Sequence, residues 1–325
     1  WLCDYESFHK GHTPFKLHDS TYFNNEAKYH RGGWGGLLSY MIKHEYLNGQ
    51  YGVPLVDVVE KYFVWDKRPV MTDEWIGISH MTPNTPGYMN HADIDTLLAN
   101  TNFKKSLPKC KCLVVLSDYM KHYIKSKLPD INIKSIKHPV STNIRKFNYS
   151  DWYNNDNKKV VQLGQQMRYM SFIYRLNTRL KKIWLYGHQD KKLMIQRVQD
   201  EFKDLNLRYS VNEVQMYRTN DFTEYDDIVT RNIVVLELID ASANNSILEM
   251  ISSHTPFFVN PRPAAVEYLG EDYPMYFNLT DDVEAIIHDK NKLNSLYKRT
   301  NKYLINLDKT PLAYTTFIEE MNSIT

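Results

Sequence analysis

Ala243, Asn244, Asn245 and Ser246, with Glu249 three residues further on, form the stretch best equipped for chemistry. Small polar residues at the opening of a helix leave backbone N–H groups unpaired and pointing outward, a setting for an anion or a hydroxyl-rich ligand. Glu249 adds a carboxylate in the next turn. Ser246 and Glu249 also spell S-x-x-E, a capping box in which Glu249 would only satisfy its own helix. Both readings stand at this level. Asn244 and Asn245 are common turn residues whatever the function.

The surrounding elements must position that turn. Residues 232–238 are a short apolar run with β-branched members and read as a buried strand. Ile247, Leu248 and Ile251 follow at helical spacing, and Pro256 ends the helix, because the residue before proline is biased out of the helical region. Phe257, Phe258 and Val259 read as a second buried strand. Strand, turn, helix, strand is a βαβ crossover, which sets ligands at the carboxyl ends of its strands. The turn before Ser246 falls at that end.

Other residues invite a chemical reading. Gly32, Gly33, Gly35 and Gly36 surround Trp34 ahead of a helix through Leu37, Leu38, Met41 and Ile42. Such a turn lets a ligand approach the backbone closely, or simply packs a helix on a sheet. It is not the dinucleotide fingerprint, which would need glycine at Leu38. Trp75-Ile76-Gly77-Ile78-Ser79-His80 reads as a buried strand ending in a histidine before a proline-rich loop. His80 is placed for a cleft ligand and equally for a structural hydrogen bond. Val160-Val161-Gln162-Leu163-Gly164 is another strand with glycine at its end, and Arg168 follows shortly.

Metal chemistry finds little support. His9, His12, His18 and His30 are scattered through a polar stretch without an i, i+4 pair on a credible helix. Cys3, Cys110 and Cys112 are an odd number with one C-x-C pair, so neither a disulfide framework nor a zinc site is expected. They read as buried or free thiols in a reducing compartment. Asp93-Ile94-Asp95 opens a helix rather than ending a strand. No metal and no cofactor is expected.

The 325 residues suit about two domains, and 42% hydrophobic with 13% aromatic content can build their cores. A net charge of +2 argues against a polyanion partner such as nucleic acid. No apolar run reaches the roughly 18 residues that cross a bilayer, and no secretory leader is visible. Asn, Lys, Ile and Tyr are abundant and Gly is scarce, the usage of an AT-rich genome. A microbial or viral source and a cytoplasmic location, or host cytoplasm for a virus, are the expectations.

Strand–helix alternation fills both halves. Cys112-Leu113-Val114-Val115-Leu116 is the clearest strand of the first, with Ser117 as N-cap of a helix carrying Met120, Ile124 and Leu128 on one face. Residues 207–211 read as a strand, and Asp281 with Glu284 as a capping box. Residues 148–159 are polar and charged and mark the expected junction. The fold class is therefore α/β, with two parallel-sheet domains over 1–150 and 151–325.

Residues 232–278 resemble the nucleotide-sugar-binding segment of GT-B glycosyltransferases, most like glycosyltransferase family 4. The likeness is carried by Ser242-Ala243-Asn244-Asn245, Glu249 and Thr255-Pro256. It extends in outline over 32–321 and is strongest at 112–117, 160–168 and 232–278. The resemblance implies that the two domains are Rossmann-like and face a cleft, and that Glu249 binds the ribose hydroxyls of the donor. The family's first glutamate lies eight positions earlier, where this chain has Ala241. It further implies that a basic residue after Gly164 binds the diphosphate, and Arg168 is the nearest match. The family's next lysine is replaced by Ile173, so Arg175, Lys181 or Lys182 are candidates to substitute. The Gly33 loop would lie near the donor phosphates and acceptor.

Arg168 and His80 are thus the expected catalytic residues, and Gly33, Gly164, Asn244, Asn245, Ser246 and Glu249 the expected donor-binding ones. The implied reaction is metal-independent, retaining transfer of a sugar from a nucleotide-sugar to a glycan, lipid-linked or other acceptor, with the donor in the second domain and the acceptor in the first. Peripheral membrane contact is compatible with this. Two alternatives remain: a non-catalytic nucleotide-sugar-binding or scaffold protein, which Ala241 favours, and a glycosyltransferase acting on nucleic acid.

Overall fold

The computed structural model describes residues 15–17, 34–48, 52–89, 93–187, 190–219 and 221–324. These form two compact units. One takes in the described residues of Trp1–Met81, Ala92–Val140 and Thr310–Thr325, the other those of Thr82–His91 and Ser141–Lys309.

In the first unit, β1 (Phe15–Leu17), β2 (Leu47–Asn48), β3 (Val53–Val56), β4 (Trp75–Ser79), β5 (Cys110–Val115) and β6 (Ile133–Ser135) form one sheet in the order β2-β1-β3-β4-β5-β6. Every pair is parallel. Leu113, Val114 and Val115 are wholly buried, as expected of a parallel strand covered on both faces. Phe63, Trp75 and Phe103 meet in the core on one side, where Trp75 Nε1 donates to the Ser106 carbonyl at 2.9 Å. Ser117 caps the helix Asp118–Lys127 through the Met120 amide, as its sequence position suggests.

The second unit holds β7 (Val160–Leu163), β8 (Lys182–Leu185), β9 (Gln215–Tyr217), β10 (Ile233–Leu236) and β11 (Phe257–Val259) in the order β11-β10-β7-β8-β9, again all parallel. Counted from β7, this is the doubly wound order of a dinucleotide-binding sheet. The winding reverses between β7 and β10. Ligands of such sheets bind outside the carboxyl ends of the two strands at that reversal. Two α/β units with parallel sheets are the fold class expected from the sequence.

The units change over between Val140 and Ser141, ahead of residues 148–159, and the last helix Tyr314–Asn322 belongs to the first unit. The Val140 amide donates to the Leu312 carbonyl at 3.0 Å, and Lys134 Nζ lies 2.7 Å from Glu320 Oε2. The polar stretch lies inside the second unit. It folds as the helix Tyr149–Tyr153, whose Trp152 is fully buried and stacked on Tyr297 with ring centroids 3.9 Å apart. One buried aromatic anchors a segment whose other residues are exposed or only partly buried.

Two local expectations are corrected. Residues 207–211 are not a strand. Ser210 and Glu213 cap each other's backbone around the short turn Val211–Glu213, and pairing begins only at Gln215. At the helix Thr280–Ile287 the carboxylate that turns back is Asp282, which accepts from Leu279 N at 2.9 Å. Glu284 instead accepts from Asn177 N at 2.8 Å.

Candidate functional site

β7 ends at Leu163, and the next residue, Gly164, has φ +66°, a conformation that costs other residues strain. A Cβ there would also lie 3.1 Å from Cζ and Nη1 of Arg168, so the guanidinium packs directly over this glycine. Residues 165–169 then run beside the segment leaving β10. The Ile239 amide donates to Met167 O, and the Tyr169 amide to Glu237 O, each at 2.9 Å. Arg168 pairs with Leu238 in an antiparallel bridge. Glu201 grips the far side of this turn, its two oxygens accepting from Met170 N at 2.9 Å and Ser171 N at 2.8 Å.

The turn delivers Arg168 to the start of the helix Asn245–Ser253. Arg168 Nη2 donates to Asn244 Oδ1 and to Ser246 Oγ, both at 2.9 Å, and Nη1 to the Gln166 carbonyl at 2.7 Å. Its Nε is buried without a hydrogen-bond partner. Burial pulls the Arg168 pKa down to about 10, against the opposing fields of Tyr225 and Glu249. The group is still cationic at neutral pH, and an arriving anion would relieve the cost of holding that charge out of water.

Asn244 is the N-cap. Its Oδ1 accepts from Ser246 N at 3.1 Å and Ile247 N at 3.3 Å. The Ser246–Glu249 capping box is therefore not formed: Ser246 lies inside the helix with its hydroxyl committed to Arg168, and Asn244 does the capping. Asn245 is the first helical residue, and Glu249 stands one turn on, both half-buried. Gly164, Arg168, Asn244, Asn245, Ser246 and Glu249 thus share the carboxyl-end edge of β7 and β10. A guanidinium beside a helix N-terminus favours a phosphate-bearing ligand.

Of Arg175, Lys181 and Lys182, only Arg175 belongs to this neighbourhood, where it pairs with Glu237 just after β10. Burial raises the Glu237 pKa despite the lowering fields of Arg175 and Arg262. Lys181 and Lys182 lie at the amino end of β8, where Lys182 Nζ binds the carbonyls of Tyr174 and Leu176 at 3.1 and 3.0 Å. Ala241 is buried and offers no polar side chain. The preceding residue, Asp240, accepts from Asn84 Nδ2 at 3.3 Å through Oδ2 and from its neighbour's amide at 2.8 Å through Oδ1.

His80 belongs to the first unit, at the carboxyl end of β4. Its Nε2 lies 2.8 Å from the Asp57 carbonyl, and its ring packs edge-on to Trp34 with centroids 5.1 Å apart. Gly33 and the four histidines of the first 30 residues lie outside the described residues, as does Cys3. Cys110 and Cys112 are free, and burial pushes the Cys110 thiol up to about 12. Asp93 caps the helix Ile94–Ala99, and Asp95 accepts from Tyr123 at 2.7 Å. No cluster of three or more metal-ligating side chains occurs among the described residues. None of their helices is long and apolar enough to cross a membrane.

Glu201, Asn260, Asp57 and Glu60 also hold these residues in place, and no sequence motif marks them. Asn260 brackets Leu238, donating to its carbonyl at 2.8 Å and accepting from its amide at 2.7 Å. Acids inside an apolar stretch were the available signal for Asp57 and Glu60. Glu201 sits in a helix rich in charge and gave none.

No family model and no curated protein sequence matches the chain. Solved structures do resemble it in fold. Sucrose-phosphate synthase from Thermosynechococcus elongatus aligns over 94% of this chain and 78% of its own, with TM-score 0.60 and 11% identity. HepE of Anabaena, in complex with UDP-glucose, aligns over 96% and 99%, with TM-score 0.59 and 11% identity. TarM aligns over 89% of this chain at TM-score 0.55 and 12% identity, and the chain spans only 57% of its length. The fold is that of the GT-B glycosyltransferases.

Proposed function

We propose that the chain transfers a sugar from a nucleotide-sugar donor to a glycan, lipid-linked or other acceptor, with retention of anomeric configuration and without a metal. The observation that carries this reading is the attachment of Arg168 to Asn244 and Ser246 at the winding reversal of the second sheet. Arg168 and the helix N-terminus would face the charge that grows on the diphosphate as it leaves. Glu249 would accept from the ribose hydroxyls. Fold alone does not fix activity, but HepE was solved with UDP-glucose, which supports a donor of this class.

The retaining course has the acceptor attack on the face from which the diphosphate departs, with a phosphate oxygen receiving the acceptor's proton. Positioning then supplies much of the rate. A non-catalytic nucleotide-sugar binder is the second reading, favoured by the apolar Ala241 at the position of the first family glutamate. Incubation with UDP-, GDP-, ADP- and dTDP-sugars, with and without EDTA, tests the proposal by proton NMR of the anomeric signals. The expected result is consumption of one donor with the anomeric configuration kept, at a rate that EDTA leaves unchanged. Binding without turnover would favour the second reading, and EDTA-sensitive turnover restored by magnesium or manganese would remove metal independence.

A further inference from the structure

Two acids follow β3 within one helical turn, Asp57 and Glu60, and both are almost completely buried, at 1% and 0% exposure. Glu60 Oε1 accepts three hydrogen bonds: from Ser79 Oγ at 2.6 Å, from His80 N at 2.9 Å and from Met81 N at 3.0 Å. Its other oxygen has no partner. A buried carboxylate is costly unless it is well hydrogen-bonded. All the bonding of this one goes to the three residues centred on His80.

The ring is held separately. His80 Nε2 lies 2.8 Å from the Asp57 carbonyl. A carbonyl oxygen can only accept, so Nε2 carries the proton. In the neutral ring Nδ1 is then the lone-pair nitrogen. Trp34 packs edge-on against the ring and is itself tethered by Nε1 to Asp57 Oδ2 at 3.4 Å. Asp57 and Glu60 thus fix the backbone, the tautomer and the tilt of one half-buried histidine at the carboxyl end of a parallel strand, where ligands of such sheets bind.

We propose that Glu60 is a positioning residue that presents His80 to a sugar hydroxyl as a hydrogen-bond acceptor, through Nδ1. The role assigned to Glu60 rests on the reading of His80 as a residue that touches substrate. The hydroxyl keeps its proton, and no bond forms or breaks at the imidazole. Because a single oxygen of Glu60 makes all three contacts, its charge is dispensable and its carbonyl-like geometry is not. Glutamine retains that oxygen, and leucine fills the space without it.

Nitrogen-15 correlation NMR of the histidine ring in the wild-type chain, Glu60→Gln and Glu60→Leu tests this, alongside kcat, KM and nucleotide affinity. The expected spectrum of the wild type and of Glu60→Gln shows one His80 tautomer, protonated at Nε2. Glu60→Leu is expected to show averaging of the two tautomers and a fall in kcat of about 10–100-fold, the size expected for a small misplacement. Nucleotide affinity, set in the second unit, should not change. A wild-type ring protonated at Nδ1 would overturn the proposal, as would Glu60→Leu with an unaltered tautomer and unaltered kcat. Should Glu60→Leu fail to fold, Glu60→Gln decides the point by its kcat: activity within about two-fold of wild type with the same tautomer supports the proposal, and a loss as large as that expected of the leucine variant overturns it. Absence of turnover with every donor would remove the transferase reading, whereas the tautomer measurement judges the positioning claim by itself.

Discussion

Arg168 and Asn244 share one oxygen: Asn244 Oδ1 accepts from Arg168 Nη2 at 2.9 Å and also from the amides of Ser246 and Ile247. The atom that ends the helix therefore also fixes the guanidinium. A cation and a helix N-terminus, each attractive to phosphate, are held in one rigid arrangement before any ligand arrives. That arrangement lowers the ordering cost that a flexible arginine would add on binding.

Substitutions at Asn244 separate its two duties. Asn244→Ala removes the cap, so stability should fall by about 1 kcal/mol, and the freed arginine should weaken donor binding. Asn244→Asp keeps the cap and gives Arg168 a carboxylate partner. Its stability should equal or exceed the wild type in urea melts, while affinity for a nucleoside diphosphate drops at least about ten-fold through charge repulsion. Equal affinity in the aspartate variant would place the diphosphate elsewhere.

Glu249 is not needed as a cap, because Asn244 occupies that position. Glu249→Ala should therefore leave the melting temperature nearly unchanged. If it accepts from ribose hydroxyls, nucleotide binding should weaken by roughly 1.5–3 kcal/mol, the range for hydrogen bonds to a charged group. Calorimetric titration of the nucleotide checks this, and unaltered affinity would strip Glu249 of its assigned role.

Gly164→Ala meets two obstacles, a φ of +66° and a Cβ 3.1 Å from the guanidinium. The backbone alone should cost about 1 kcal/mol or more. The added methyl should also displace Arg168, so turnover should fall beyond what the stability loss explains. Denaturation and donor kinetics on one preparation separate the two effects.

Much of this was legible from residue order. Buried parallel strands read as unbroken apolar runs, so Val160-Val161-Gln162-Leu163 and residues 232–238 announced themselves, and with them the turns at their carboxyl ends. Residue order leaves the cap open, because Ser246 and Asn244 are both good N-caps. Only the structure shows that Arg168, 76 residues from Asn244, takes up the serine hydroxyl. Long-range bonds of this kind leave no periodic trace. The same holds for Glu201 beneath the arginine turn and for Glu60 beneath His80. Trp152 hid the compactness of the 148–159 stretch, since one aromatic in a polar run does not reveal its partner Tyr297.

His254 ends the site helix in the left-handed conformation, and burial, reinforced by Lys309 and Lys146, lowers its pKa to about 4. An unfolded chain binds this proton near pH 6.5 and the folded one only near 4, so stability should fall as pH drops between these values. The ring is partly solvated, so the loss should be only about 1 kcal/mol. Asparagine tolerates the left-handed region, and His254→Asn should flatten this part of the stability profile. Equal slopes in urea melts at pH 4.5 and 6.5 for both proteins would contradict the assignment.

The central claim is that Arg168 receives the diphosphate of a nucleotide-sugar, and a thermal-shift screen of the wild type and Arg168→Ala against UDP-, GDP-, ADP- and dTDP-sugars tests it most directly. At about 100 times its dissociation constant a ligand stabilises the folded chain by about 2.7 kcal/mol. One donor should therefore raise the wild-type melting temperature by about 4 °C, with little or no rise in Arg168→Ala. A wild-type protein that no donor stabilises, or a variant stabilised as much as the wild type, would contradict the account.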